Sequence, residues 1–269
     1  ALDRRAEGHP GATRVSAQSA SVRDSLPASR AAIRRIQSAG KRRAVERARQ
    51  TPFWRERLAG IDVARLDDPA EWSKIPILDK ALLRNLTDAE FYTHFCHSAN
   101  GVPASMAGAG DPFCEYWRSG GATGKPLFYP RSRADIEAAM LGFRRVYQSA
   151  GVGDGERAHV SFPLGIHPVG TMMARAAQAE SIGVNWGGAG TNTPTALQLD
   201  LIRRLAPTIW CGMSSYGLHL ASLADQQGID LASGPVRTLI CSAEPVSEAK
   251  RAKLERAWGA RLVDGFGMT

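Results

Sequence analysis

The sequence predicts an α/β fold in which mostly parallel strands form sheets flanked by helices. Three observations predict it. From residue 111 onward, short apolar runs alternate with segments of helical spacing. The residues that follow most of these runs are small, polar or turn-forming, as expected where strands end at a ligand-binding edge. The chain has 269 residues, of which 43% are hydrophobic, enough for one large domain or two small ones.

The first part of the chain predicts a tail followed by helices. Residues 1–27 are rich in Ala, Gly, Ser and Arg without periodicity, which predicts a mobile tail. Residues 28–110 predict a mainly helical region. Within it, residues 28–58 have the spacing of one or two helices, with a break expected near Gly40.

Loops and one short helix are predicted for the rest of this region. Residues 62–77 predict a loop with turns. Asp79 has the character of an N-cap for a short helix that ends at Leu86. Residues 98–111, rich in Gly, Ala, Ser and Pro, predict a flexible connection.

The α/β region is predicted to cover residues 111–269. Strands are predicted at 113–118, 127–129, 158–162, 183–186, 208–211, 238–241 and 261–264. Helices are predicted at 133–148, 170–181, 195–205, 216–227 and 247–258. The first two strands are separated by a glycine-rich segment that predicts a hairpin, and Gly151 is expected to end the first helix. No sequence repeat underlies the alternation.

Positive charge is concentrated at the start of the chain. Residues 1–58 hold 14 Lys or Arg against 5 Asp or Glu, whereas the net charge of the whole chain is +8. Such a block could bind nucleic acid. However, its arginines alternate with Ile33, Ile36 and Val45 at helical intervals, and no aromatic residue precedes Phe53 to stack on bases. The pattern therefore favours a solvated helix face over nucleic acid, and it leaves a non-specific anionic partner open.

The sequence predicts neither a membrane span nor a disulfide framework. No apolar run reaches the roughly 18 residues of a membrane-spanning helix, and the N-terminus lacks the apolar core of a secretory signal. Cys96, Cys114, Cys211 and Cys241 show no paired spacing. Free thiols in the cytoplasm are the simplest expectation. The oligomeric state stays open, with a homodimer among the options.

The most informative segment is Ser-Gly-Gly-Ala-Thr-Gly-Lys-Pro at residues 119–126. Its glycines allow backbone N–H groups to converge on a phosphate, to which Ser119 and Thr123 add hydroxyls and Lys125 a positive charge. It is not a Walker A loop, because Ser119 stands where that motif has its first glycine, and Pro126 stands where it has Ser or Thr after the lysine. The alternative interpretation is a hairpin tip that binds no ligand.

Three motifs, in a fixed order, resemble the adenylate-forming enzymes, which include the acyl- and aryl-CoA ligases. The segment 119–126 resembles their phosphate loop, Cys-Ser-Ala-Glu-Pro at 241–245 is similar to their adenine segment, and Asp-Gly-Phe-Gly-Met-Thr at 264–269 is similar to their Asp-x-Tyr-Gly-x-Thr-Glu motif. Residues 51–58, residues 75–80 with 83–84, and residues 211–216 resemble phenylacetate-CoA ligase and its neighbours. The resemblance runs from about residue 33 to residue 269.

The resemblance implies ATP, Mg²⁺ and CoA as cofactors and assigns roles to named residues. The β- and γ-phosphates of ATP would be held by Ser119, Gly120, Gly121, Ala122, Thr123, Gly124 and Lys125. Ala243, Glu244 and Pro245 would line the adenine site, Phe266 would stack on the base, Asp264 and Gly267 would shape the turn, and Thr269 would reach the α-phosphate. Lys125 and Thr269 are thus the expected catalytic residues. Glu244-Pro245 as an ordinary turn and Phe266 as a core residue remain alternatives.

The chain departs from the family pattern at several positions. Gly120 and Ala122 reduce the number of hydroxyls in the loop, and Phe266 replaces a tyrosine. The sequence stops at Thr269, one residue before the glutamate that the family uses for Mg²⁺. We therefore expect a fragment: an incomplete N-terminal domain without the C-terminal domain and its catalytic lysine, inactive by itself.

Several residues at predicted strand ends could form the acid site. Phe162, Trp186, Met213 and Tyr216 could wall a pocket for an aromatic acid, in which Gly187 and Gly188 leave room for a ring. Each of the four taken alone is more often a core residue. His167 corresponds to the region where the related enzymes place a residue near the substrate carboxylate. His94, Cys96, His97 and Cys114 match no zinc spacing, so no metal-ligating residues are predicted.

The sequence thus predicts an ATP-dependent acid ligase that activates an aromatic carboxylic acid as an acyl adenylate and passes it to CoA. A carrier protein or an amine as the acceptor stays open. A non-catalytic nucleotide- or partner-binding module derived from the same fold is the second candidate.

Overall fold

The computed structural model describes residues 27–79, 81–82, 85, 95–97, 103–106, 112–118 and 128–267. The predicted tail lies outside these residues, apart from residue 27.

A long helix followed by a short one opens the described chain. The first, α1 (Arg30–Ala48), begins after Ser29, whose hydroxyl accepts a hydrogen bond from the Ala32 backbone N–H at 3.1 Å. It passes through Gly40 without interruption, so the break expected there is wrong. The chain instead breaks after Ala48 and begins a new helix, α2 (Pro52–Arg57). Pro52 starts that helix because a proline is tolerated in the first turn of a helix but not in its interior.

The basic residues of α1 mostly face solvent, as the solvated-face interpretation predicts. The helix buries Val45, which packs with Leu58, Ile61 and Leu66 in a small core of its own. Arg42 forms one of the ion pairs of this region, with Asp67 at 3.1 Å.

The loop predicted for residues 62–77 contains a 3₁₀ turn (Val63–Arg65) and a four-residue helix, α3 (Pro69–Trp72). Asp79 has the predicted capping geometry, since its carboxylate accepts a hydrogen bond from the Leu82 backbone N–H at 2.7 Å. The predicted end of that helix lies outside the described residues.

Two antiparallel hairpins follow. Strand β1 (Phe95–His97) pairs with β2 (Pro103–Met106), and β2 lies within the segment where a flexible connection was expected. Strand β3 (Phe113–Arg118) pairs with β4 (Phe128–Ser132), which confirms the predicted hairpin around the glycine-rich segment. The tip of this second hairpin, residues 119–127, lies outside the described residues.

From there to its last described residue the chain alternates helix and strand. The elements are α4 (Arg133–Ser149), β5 (Arg157–Val160), α5 (Val169–Ala179), β6 (Gly183–Asn185), α6 (Thr195–Leu205), β7 (Ile209–Gly212), α7 (Ser214–Gln226), β8 (Thr238–Ser242), α8 (Glu248–Trp258) and β9 (Arg261–Gly265). Each lies within about three residues of its predicted position. Gly151 follows α4 with φ +64°, a left-handed conformation that suits glycine and ends the helix as predicted.

The five strands β5–β9 form one parallel sheet in the order β6-β5-β7-β8-β9. Alternate residues of its central strands enter different cores. Ile209 and Cys211 belong to a core with α4 and α5, whereas Trp210 belongs to a core with α6, α7 and α8. The sheet is therefore covered on both faces, as parallel sheets require, and the predicted α/β class is confirmed. Among the described residues, no helix combines the length and apolar character needed to cross a membrane.

Candidate active site

The carboxyl ends of all five parallel strands meet at one edge of the sheet, where α/β folds place their ligands. Five segments leave the strands there: 161–169, 186–192, 213–215, 243–245 and 266–267. This edge, here called the carboxyl edge, brings together most of the described residues that the sequence assigned to nucleotide and acid binding.

The β3–β4 hairpin contacts both this edge and the neighbouring helix α5. The Arg118 backbone N–H donates to the Ile166 carbonyl at 3.2 Å, in the segment after β5. The Glu115 carboxylate pairs with Arg175 of α5 at 2.5 Å and also accepts a hydrogen bond from the Trp117 indole at 2.8 Å. Arg118, the last described residue before the glycine-rich segment, therefore lies beside the segment after β5.

Charge at this junction is predominantly positive. His167 is half-buried, and burial followed by the nearby Arg118 cation lowers its pKa. Burial of Glu115 opposes its ionisation, but the hydrogen bonds from Trp117 and Arg175 outweigh it and lower its pKa. A neutral His167 beside a cationic Arg118 is suited to an anionic ligand group.

Glu244 is the most constrained residue of the predicted adenine segment. Its Oε1 atom accepts a hydrogen bond from the Ser214 hydroxyl at 2.6 Å and another from the Ser215 backbone N–H, and Lys250 Nζ lies 3.3 Å away. Burial opposes ionisation, yet these donors together lower the pKa of Glu244 to about 2. The preceding residue, Ala243, is exposed and has φ +75°, a left-handed conformation that is strained for alanine.

The last described residues place an aromatic side chain in solvent. Asp264 lies opposite Cys241 in the parallel register of β9 and β8, so the two motifs are neighbours. Phe266, two residues on, is 91% exposed. Such exposure forgoes roughly 2 kcal/mol of burial for a phenyl ring and leaves the ring accessible to a planar ligand. Gly267 is also exposed, and Thr269 lies outside the described residues.

The residues predicted for the acid site divide into core and surface. Phe162 is fully buried in the core shared with α4 and α5, and Met213 packs against that same core. Trp186 is 39% exposed. The Tyr216 hydroxyl donates to Thr195 Oγ1 at 3.2 Å, which ties the start of α7 to the start of α6. Phe162 thus contacts protein, Tyr216 is partly buried against the core of α6, α7 and α8, and Trp186 is accessible at the carboxyl edge.

A buried polar network beneath this edge escaped the sequence analysis. Gln198, which is fully buried, accepts hydrogen bonds from Ser161 Oγ at 2.8 Å and His159 Nε2 at 3.2 Å. Its amide donates to the carbonyls of Gly188 at 2.9 Å and Thr193 at 3.0 Å. The network therefore holds both ends of the segment between β6 and α6, which carries residues predicted for the acid site.

Two further contacts complete the network. Burial lowers the pKa of His159, which favours the neutral imidazole. Asn185 Nδ2, a donor, lies 2.8 Å from His159 Nδ1, so Nδ1 accepts and the ring carries its proton on Nε2. A Cβ at Gly187 would lie 2.7 Å from His159 Nε2, so glycine is required there for close approach. The available signals were a histidine inside a buried strand and a glutamine four residues before Ile202 on the apolar face of a helix.

Within the described residues, no group of three His, Cys, Asp or Glu side chains could hold a metal ion. A surface groove of about 670 Å³ runs between α7 and α8 and is lined by Leu218, Ile229 and Lys253 among others. It lies away from the carboxyl edge and includes none of the sequence-predicted site residues.

Comparisons with known proteins agree with the motifs. The chain is 30% identical over 154 residues to the phenylacetate-coenzyme A ligase of Pseudomonas putida, a match that covers 56% of this chain and 34% of that protein. It is 23% identical over 222 residues to the enzyme of the same name from Thermus thermophilus, covering 82% of this chain and 46% of that protein. The matches thus span a third to a half of these curated relatives. No protein-family profile matches the chain.

A similar fold occurs in an open conformation of 2-hydroxyisobutyryl-CoA ligase in complex with 2-HIB-AMP and CoA, with a TM-score of 0.75 and 20% identity, covering 91% of this chain and 55% of that one. At this identity the likeness concerns the fold alone. The three ordered motifs, the curated relatives and the fold agree. The chain is therefore related to the adenylate-forming enzymes, and among them to the phenylacetate-CoA ligases.

Proposed function

We propose that this chain forms the nucleotide- and acid-binding part of an adenylate-forming ligase that activates a carboxylic acid with ATP and transfers the acyl group to CoA. The observation that carries the proposal is the anchoring of the β3–β4 hairpin. The Arg118–Ile166 hydrogen bond joins the end of β3 to the edge that also carries Glu244 and Phe266, and the Glu115–Arg175 ion pair holds β3 against α5.

The proposed chemistry has two steps. In the first, a carboxylate oxygen of the acid attacks the α-phosphorus of ATP, and the bond to pyrophosphate breaks. In the second, the thiolate of CoA attacks the acyl carbon and AMP leaves. Both partners of the first step are anions, so positioning and charge neutralisation lower its barrier.

The chain's own residues supply these effects. Backbone N–H groups of residues 119–124 and the Lys125 ammonium would bind the β- and γ-phosphates. Ala243, Pro245 and Phe266 would enclose the adenine, and the Thr269 hydroxyl would bind the α-phosphate. Mg²⁺ bound with the triphosphate would neutralise part of its charge.

For the acid we propose an aromatic carboxylic acid. Trp186 offers accessible aromatic surface at the carboxyl edge, and Tyr216 is partly exposed there. The room for a ring predicted at Gly187 is occupied by the His159 imidazole. Beside the hairpin, His167 and Arg118 would receive the carboxylate. The names of the curated relatives support this class, because phenylacetate is an aryl acid. CoA as the acceptor rests on the same relatives.

The nucleotide site is tested by calorimetric titration of the chain with AMP and with ATP. Replacing Phe266→Ala should weaken binding of both nucleotides about tenfold, because stacking on a base contributes roughly 1–3 kcal/mol. Phe266→Tyr keeps the ring and serves as the matched control, with affinity within about twofold. Equal affinities of all three proteins would contradict the proposed role of Phe266.

The phosphate loop is tested by comparing the same two nucleotides. Lys125→Ala should weaken ATP binding about tenfold or more and leave AMP binding nearly unchanged, because AMP has no β- or γ-phosphate. An equal effect on both nucleotides would place Lys125 elsewhere.

The second candidate, a non-catalytic nucleotide-binding module, shares these binding results and differs in chemistry. Its support is the reduced number of hydroxyls at Gly120 and Ala122. Adenylate formation from ATP and phenylacetate by a protein that contains this chain would exclude it. The expectation that the chain alone exchanges no pyrophosphate stays a prediction for the same assay.

A further inference from the structure

We propose that Glu244 is a positioning residue that fixes the adenine segment relative to the acid-binding segment, rather than a group that contacts the nucleotide. The inference rests on the proposed function and concerns the division of labour within that site. Its starting point is that the Glu244 carboxylate is directed at protein donors.

The contacts of Glu244 join three elements, one of which lies 30 residues earlier in the chain. It follows β8, yet its Oε1 atom is bonded to Ser214, which is fully buried at the start of α7, and to the adjacent backbone N–H of Ser215. Lys250, in the first turn of α8, adds a cation at 3.3 Å. A single carboxylate oxygen therefore connects the end of β8 with the first turns of α7 and α8.

The start of α7 depends on this carboxylate. Its N-cap residue, Met213, has no side-chain oxygen and makes no capping hydrogen bond. The first turn of a helix has unpaired N–H groups and a partial positive charge, which an anion stabilises. Glu244 supplies this anion from 30 residues further along the chain, so it acts as the cap of α7.

The two segments that Glu244 joins are the two halves of the proposed site. Met213 and Tyr216, on either side of the bonded serines, belong to the acid side, whereas Ala243 and Pro245, on either side of Glu244, belong to the adenine side. Both Ala243 and Pro245 are exposed. The reaction requires the acid's carboxylate to lie in line with the α-phosphorus, and a misplacement of about 1 Å can cost on the order of 100-fold in rate.

The test separates binding of one half-site from simultaneous binding of both. The probes are AMP and two non-hydrolysable acyl-adenylate analogues, phenylacetyl-sulfamoyl adenosine and 2-hydroxyisobutyryl-sulfamoyl adenosine, with the tighter-binding analogue used for comparison. Binding is measured by calorimetry on the folded chain, with folding checked by circular dichroism. The variants are Glu244→Ala, Glu244→Gln and Ser214→Ala.

A matched control is Glu255→Gln. The Glu255 carboxylate also accepts a backbone N–H, from Leu262 at 2.9 Å, and also lies near a cation, Arg251 at 3.8 Å. However, Leu262 is near the start of β9, away from the carboxyl edge. A loss that reflects only general stability should therefore appear in this variant too.

We expect Glu244→Ala to weaken binding of the analogue about tenfold or more, while AMP affinity changes by less than about twofold. Ser214→Ala should show the same pattern. The double variant, Glu244→Ala with Ser214→Ala, should lose less analogue affinity than the product of the two single effects. Glu244→Gln should be intermediate, because its amide oxygen still accepts hydrogen bonds. Glu255→Gln should leave both affinities unchanged.

Two results would overturn the inference. An equal loss of AMP and analogue affinity in Glu244→Ala would make Glu244 an adenine contact. Unchanged analogue affinity in both Glu244→Ala and Ser214→Ala would show that the contact does not position the two halves of the site. If the unaltered chain binds neither AMP nor either analogue, the proposed function itself fails and this inference fails with it.

Discussion

Replacing Gln198→Leu should destabilise the protein strongly, although it exchanges a polar side chain for an apolar one of similar size in a buried position. Gln198 makes four hydrogen bonds, two as acceptor and two as donor, and is fully buried. Leucine removes all four. The His159 and Ser161 donors then lie in the core without Gln198, since both are at most 2% exposed.

The size of the effect follows from the groups left without partners. A buried neutral donor or acceptor that loses its partner costs about 1–3 kcal/mol. The Thr193 carbonyl is only partly buried and can recover a water, and the added apolar surface returns about 1 kcal/mol. Three buried groups lose their partner, the His159 and Ser161 donors and the Gly188 carbonyl. We therefore expect a net loss of about 2–8 kcal/mol in the free energy of unfolding, a large part of the 5–15 kcal/mol typical of whole domains.

Urea unfolding followed by tryptophan fluorescence measures this loss. Trp210 is a suitable reporter because its indole N–H donates to Ser161 Oγ at 2.9 Å, inside the same network. Gln226→Leu is the matched control: it is the same substitution at an exposed position near the end of α7, and it should change stability by less than about 0.5 kcal/mol. A loss in Gln198→Leu no larger than in the control would refute the reasoning.

Three further predictions concern the hairpin, a close backbone approach and a titrating carboxylate. Glu115→Gln should lower stability by only about 0.5–1 kcal/mol, since its ion pair is partly exposed, but should weaken ATP binding several-fold in calorimetry if the hairpin positions the phosphates; unchanged ATP affinity would argue against that anchor. Gly170→Ala should lower the Tm, because the new Cβ would lie 2.4 Å from the Pro163 carbonyl oxygen, at a cost of about 1–3 kcal/mol. The control Gly142→Ala places its Cβ where no atom lies within 4 Å, so it should be neutral or stabilising. Equal changes in Tm for the two variants would contradict this prediction. The pKa of Glu244 is lowered from 4.5 to about 2, so its contribution is complete above pH 4.5 and is lost as the pH falls toward 2. Solvent screening at this quarter-exposed side chain reduces that contribution to about 1–2 kcal/mol. The stability advantage over Glu244→Gln, measured by urea unfolding between these pH values, should shrink accordingly, and a constant difference would show that ionisation is not its source.

Local patterns accounted for most of the secondary structure. The helix predicted at 195–205 has those bounds in the structure, and the neighbouring elements shift by only a few residues. Strands buried on both faces and helices with one apolar face leave period-specific signals in the sequence. The errors came where local signals compete. Gly40 lies inside a helix because one glycine costs only about 1 kcal/mol there, and β2 formed in a segment whose composition indicates a loop.

The sequence by itself determined the fold class, the position of the glycine-rich segment at a hairpin tip and the family resemblance, because these depend on residue types at short, fixed spacings. The tertiary structure alone decided what individual side chains contact. Glu244-Pro245 has the sequence of an ordinary turn, yet Glu244 caps a helix 30 residues earlier. Gln198 forms hydrogen bonds with residues up to 39 positions away. Hydrogen-bond partners are set by which elements the sheet order brings together, and a local pattern carries no record of that order.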